Sequence, residues 1–128
     1  MKPLALTISG VALLSIMGLT TPQASLAQDV AKVAPNDVKV LLENDHVRVL
    51  DIRIKPGGKI AMHSHPAYVL YALTSGKTKS TSPDGKTEEL DIKAGEARWN
   101  DGQTHISENS GTTEAHVVLV EMKGSPKK

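Results

Sequence analysis

The sequence predicts an all-β fold in one domain, and three observations carry that prediction. From Val38 onward the chain breaks into short runs of alternating apolar and polar residues, and none keeps a helical period. Gly, Pro, Asn and Asp separate these runs at near-even spacing, the pattern of a β-sandwich or barrel. The apolar volume is mostly aliphatic: there is no Phe, Tyr68, Tyr71 and Trp99 are the only aromatics of the three ring types, and the many Val and Ile suit strands.

Residues 1–27 are expected to lie outside that domain. Lys2, an apolar run from Leu4 to Leu19 and the small residues Ser25 and Ala27 follow the order of a secretory signal peptide cleaved after Ala27. The run falls short of the roughly 20 apolar residues that span a bilayer, and Ser9, Gly10, Ser15 and Gly18 interrupt it. A periplasmic or secreted mature chain is the expectation.

Removing 27 of 128 residues leaves 101, enough for one ordinary domain. Lys2 is the only charged residue lost, so the net charge of +1 falls to zero. A neutral chain carries no electrostatic footprint for nucleic acid or for an anionic membrane. Without cysteine there is no disulfide framework, so stability must come from the core, a metal or oligomerisation.

The elements follow in order. Residues 28–37 are polar, contain Pro35 and are expected to run as an extended arm. VKVLLE and VRVLDIRIK come next, divided by Asn44-Asp45; in the second, Leu50, Ile52 and Ile54 form one apolar face. Pro56-Gly57-Gly58 stops it. KIAMHSH and YVLYAL follow, then KTKSTS and KTEELDI, which flank the hairpin signal Pro83-Asp84-Gly85. EARW and QTHISEN are divided by Asn100-Asp101-Gly102, and EAHVVLVEMK is the last strand. Residues 124–128 read as a frayed tail.

Two histidines give the chain its chemistry. His63 and His65 sit two apart in KIAMHSH, so they share a strand face. His105 lies forty residues beyond His65 in another strand, directly after a turn. Three neutral imidazoles converging from two strands can hold a divalent transition metal.

The surrounding pattern resembles a known family. Gly57, His63, His65 and Gly76 stand at the spacings of the first cupin motif, and Gly102, His105 and Asn109 at those of the second. The likeness runs from about Val38 to Lys123 and implies a cupin-type jelly roll, the double-stranded β-helix barrel, with His63, His65 and His105 as metal ligands. It also implies Fe, Mn, Ni or Zn as the ion, and dioxygenase- or isomerase-like chemistry on a small organic molecule. A homodimer is a common assembly of such barrels. The glycines have a structural reading of their own, because Gly57, Gly58, Gly76, Gly95 and Gly102 fall where strands reverse.

The chain departs from the family where the first motif carries its glutamate. That position falls on Val69, or on Leu70 with the looser spacing, so no carboxylate is supplied there. A three-histidine site would leave a bound dication with its full charge, which predicts weaker retention or a preference for anionic ligands. Val69→Glu should then tighten binding. The competing function is a metal-free barrel that binds a small ligand, its histidines serving only as hydrogen-bonding groups.

Further residues are candidates for the pocket. Tyr71 shares strand parity with His63 and His65 if Pro66 leaves the register intact, and Trp99 and Tyr68 offer rings with polar tips. Arg53 and Arg98 are candidates to clamp a substrate carboxylate. His116 is a candidate fourth donor or proton shuttle, in a strand whose two faces carry Val118 and Val120 or Val117 and Leu119. His46, after Asn44-Asp45, reads as an exposed turn residue. No serine–histidine–aspartate pattern, phosphate loop or paired-carboxylate motif is present, and no catalytic residue is assigned.

Overall fold

The computed structural model describes residues 28–124. Every expected strand is present, and the strands form two antiparallel sheets. The larger sheet runs β1 (Val38–Glu43), β2 (Val47–Ile54), β9 (Ala115–Met122), β4 (Tyr68–Ala72) and β7 (Ala97–Asn100), in that spatial order. The smaller runs β3 (Lys59–His65), β8 (Gln103–Asn109), β5 (Gly76–Thr81) and β6 (Thr87–Ile92). Leu50, Ile52 and Ile54 of β2 are buried together as their alternation requires, and pack with Tyr68, Ala115 and Leu119.

The register of β9 against β2 decides which face of the last strand is internal. Leu119 pairs with Leu50 and Val117 with Ile52. Ala115, Val117, Leu119 and Glu121 therefore share the inner face, and His116, Val118 and Val120 the outer one.

The expected extended arm is corrected in part. Residues 30–33 form one helical turn, α1 (Val30–Val33), capped by Asp29, whose Oδ1 accepts from the Ala31 N–H at 2.9 Å. Val30 is fully buried, and the carbonyl of Gln28 accepts from the Ser64 N–H at 2.8 Å. A single turn is too short to show a period in sequence, and one valine suffices to anchor it. The segment expected to be a signal peptide, residues 1–27, and residues 125–128 lie outside the described residues.

One bulge and one turn bear on the site. Between Ile60 and His63 the β3–β8 ladder shifts register, because β3 carries one residue more than β8 there. At Gly102, φ is +109°, and a side chain would meet the His65 carbonyl at 3.0 Å. Only glycine lets the second-motif turn pass that close to the histidine strand. Of the glycines at strand reversals, Gly57, Gly95 and Gly102 have positive φ, whereas Gly58 and Gly76 do not. Gly58 is instead required by space, since a Cβ there would meet the Lys55 carbonyl at 2.8 Å.

Candidate metal centre

His63 and His105 are direct cross-strand partners on β3 and β8, and His65 lies two residues along the same face. The three rings meet in the interior, with centroids 4.6 Å apart for His63–His105, 4.8 Å for His63–His65 and 5.5 Å for His65–His105. All three are buried, and one nitrogen from each lies within 4.8 Å of the others. Nitrogens bound to one ion at roughly 2.0–2.1 Å are about 3–4 Å apart, so a small inward turn of the rings would close the set.

Each ring is oriented through its Nδ1. His63 Nδ1 donates at 2.7 Å to the carbonyl of Ala61, which lies within the β3 register shift. His65 Nδ1 donates to Glu121 Oε2 at 2.7 Å. His105 Nδ1 meets Ser80 Oγ at 2.6 Å, while its Nε2 has only a longer contact of 3.3 Å to Ser107 Oγ. Protonation at Nδ1 leaves Nε2 with its lone pair, which is the tautomer a metal takes. The donor set therefore fits a divalent transition ion.

The electrostatics favour the neutral form of His63 and His105. Burial lowers the pKa of His63, and burial together with the neighbouring histidines lowers that of His105 to about 3. Burial would raise Glu121, but hydrogen bonds from His65 and Arg48 outweigh it and hold the carboxyl below its usual range. Arg48 bridges two acids: its Nε donates to Glu121 Oε1 at 2.8 Å, and its Nη1 to Asp29 Oδ2 at 2.6 Å. The bond to Arg48 is the main reason the Asp29 pKa is lowered.

Glu121 and Arg48 escaped the motif reading, although a signal was present. Glu121 continues the series Ala115, Val117, Leu119, and Arg48 continues Ile54, Ile52, Leu50. A lone charge on an otherwise apolar strand face is expensive to bury unpaired. Two such charges directly opposite one another, as Arg48 and Glu121 are, announce an internal pair.

Beside the histidines lies a cavity of about 470 Å³. Ile52, Ile54, Leu70, Ile92, Val117 and Leu119 form an apolar wall, and Tyr68, Gln103 and Ser80 join the histidines on the polar side. Tyr68 is buried with its ring 5.1 Å from that of His65, and its hydroxyl accepts from the Gln103 amide at 2.5 Å. Arg98 and Trp99 border the cavity. The Arg98 guanidinium is engaged by Glu96 Oε2 and the Asp91 carbonyl, each at 2.9 Å, and Trp99 is 57% exposed.

Three expected pocket residues lie elsewhere. Tyr71 is 45% exposed, because Pro66 ends β3 and the chain re-enters in the other sheet, so parity does not carry across. Arg53 sits on the outer face with Asp51 and Glu114, and is not a clamp at the cavity. His116 is also on the outer face, its Nε2 2.7 Å from Asp51 Oδ2, which removes it as a fourth donor. His46 is exposed in its turn, with its N–H bonded to Asn44 Oδ1 at 2.8 Å.

The glutamate position is also settled. Val69 pairs with Val120 and Trp99 on the outer face, whereas Leu70 lines the cavity. The inward residue is thus Leu70, and Val69→Glu would not reach a metal. Asn109 of the second motif is structural: its amide donates to the Ile54 and Thr113 carbonyls at 2.8 Å each, and its Oδ1 accepts from the Gly111 N–H.

No family model and no curated protein matches the sequence. Solved structures do. A cupin domain from Bordetella pertussis is 28% identical, with TM-score 0.63, over 68% of this chain and 92% of its own. A Klebsiella pneumoniae protein with a double-stranded β-helix domain is 24% identical, with TM-score 0.56, over 80% of this chain and 94% of its own. A polyketide cyclase from Streptomyces resistomycificus is 22% identical, with TM-score 0.51, over 70% of this chain and 66% of its own, and shows the shared fold. With two antiparallel sheets and the histidines of both motifs meeting in the interior, this chain has the cupin-type double-stranded β-helix fold, and Leu70 faces the cavity where the first motif would carry its glutamate.

Proposed function

We propose that the chain binds a divalent transition metal through His63, His65 and His105 and receives a small organic molecule in the adjoining cavity. The observation that carries this is the orientation of three buried imidazoles by Nδ1 contacts toward one common point. A bound ion would supply a Lewis-acid or oxygen-activating centre there, in keeping with dioxygenase- or isomerase-like chemistry.

The chain's own residues support binding of a compact, largely apolar molecule. A volume of about 470 Å³ suits a small ligand, and the aliphatic wall excludes water from its body. The Tyr68 hydroxyl, the Gln103 amide and the Ser80 hydroxyl provide polar contacts at the histidine end. Because Glu96 already neutralises Arg98, the rim favours a neutral ligand over the anion expected from ligand charge alone. Export follows from the leader-like residues 1–27, and a homodimer from the resemblance.

Metal analysis of the mature protein beside the His63→Ala/His65→Ala/His105→Ala variant tests the reading. Near-stoichiometric iron, manganese, nickel or zinc in the parent alone is the expected result. No uptake after reconstitution with each ion would leave a metal-free ligand-binding barrel.

A further inference from the structure

The three histidines are not equivalent. His63 rests on a backbone carbonyl and His105 on a serine hydroxyl, whereas His65 alone rests on a carboxylate, Glu121 Oε2 at 2.7 Å. That carboxylate is 2% exposed. Its other oxygen is fixed by Arg48, with Nε at 2.8 Å and Nη2 at 2.7 Å. Arg48 is fixed in turn by Asp29 at 2.6 Å, and Asp29 by its place at the head of α1 and its bridge to Ser64. The line Asp29–Arg48–Glu121–His65 thus runs from the N-terminal turn to the centre. Cross-strand register enforces it, since Glu121 pairs with Arg48 on one side and with Tyr68 on the other.

We propose that Glu121 is the positioning residue of the centre, supplying through His65 the negative charge that the first motif no longer supplies directly, with Arg48 and Asp29 as its supports. A carboxylate accepting the Nδ1 proton fixes the ring and makes Nε2 the more basic donor. The charge lost at Leu70 reappears one bond network further out, and the neutral three-histidine set is less neutral than its ligand types imply. This inference rests on the metal reading above, and it makes His65 the strongest of the three donors.

The test uses the mature chain and Co²⁺ as probe. Parent, Glu121→Gln, Glu121→Asp and Val38→Ala are compared by Co²⁺ affinity and visible absorption, and by ¹⁵N-histidine NMR without metal. Val38 is a buried residue outside this line and serves as the control for lost stability alone. Glu121→Gln should bind Co²⁺ about 10–100-fold more weakly with a shifted spectrum. Glu121→Asp, which keeps the charge but draws it back, should lose less, and Val38→Ala should keep the parent affinity. Without metal, the His65 Nδ1 proton should be visible in the parent and altered in Glu121→Gln. If Glu121→Gln does not fold, Glu121→Asp carries the test, with a several-fold loss expected. Parent-like affinity and spectrum in the Glu121 variants, or an equal loss in Val38→Ala, would overturn the proposal while leaving the metal reading intact. A parent that binds no Co²⁺ overturns the metal reading and this inference with it. A His65 Nδ1 without its proton overturns the positioning role independently of any metal.

Discussion

Each face of the larger sheet carries a carboxylate held against a histidine, His65 of the smaller sheet on the inside and His116 of β9 on the outside. On the inner face Glu121 lies 2.7 Å from His65, and on the outer face Asp51 lies 2.7 Å from His116. The separations are equal and the surroundings are not. The inner side chains are 2% and 3% exposed, the outer ones 20% and 15%. The inner pair continues into Arg48 and Asp29 and adjoins two further histidines, whereas the outer pair is flanked by the exposed Arg53. Distance alone therefore does not mark a functional contact. What distinguishes the inner pair is the absence of solvent and the convergence of other donors.

The largest effect should come from breaking the inner pair at its cation. Arg48→Ala leaves Glu121 buried beside His65 without its guanidinium, and such an uncompensated charge costs about 3–5 kcal/mol. Chemical denaturation of the metal-free protein would measure it. His116→Ala on the outer face should cost no more than about 1 kcal/mol and leave metal content unchanged. Similar costs for the two variants would break the comparison.

Acid should reveal the same asymmetry. His63 and His105 have lowered pKa values when folded, from 6.5 to about 3 for His105. Above 6.5 both states are neutral and the full stability is present. As pH falls below 6.5 the unfolded chain takes up protons that the folded one refuses, so stability is lost progressively toward pH 3. A loss of up to a few kcal/mol is expected, read as a falling unfolding midpoint of the metal-free protein. Phe substitution at His105, which removes the titrating group, should flatten that decline.

A finer contrast lies in the first-motif position. Leu70→Glu should place a carboxylate in the cavity and tighten Co²⁺ binding several-fold, at some loss of metal-free stability from burying a charge. Val69→Glu, one residue earlier on the outer face, should change affinity by less than about twofold and stability by about 0.5 kcal/mol. Titration of both variants would check the assignment. Equal tightening by the two would mean that β4 is out of register.

Much of this is legible in the sequence. Strand boundaries were readable because glycine, proline and Asx turns interrupt an alternating pattern, and each β-run was also a distinct hydrophobic unit. His63 and His65 share a face by strand geometry. The helical turn at Val30 was not legible, because four residues cannot display a period. Tyr71 was misplaced because alternation holds only within a strand, and Pro66 moves the chain from one sheet to the other.

By itself, then, the sequence determined the all-β class, the turn positions, the histidine pair and the spacing that joins it to His105. These are local properties, set by side-chain alternation and by residues with restricted or unusual φ. Tertiary structure alone decided that Leu70 rather than Val69 faces the cavity, that His116 points outward, and that Arg48 meets Glu121 behind His65. Those facts depend on which strands become neighbours and in what register. Register is fixed by burying one face of each sheet against the other, a condition that couples residues as distant as Asp29 and Glu121 and that no local stretch contains.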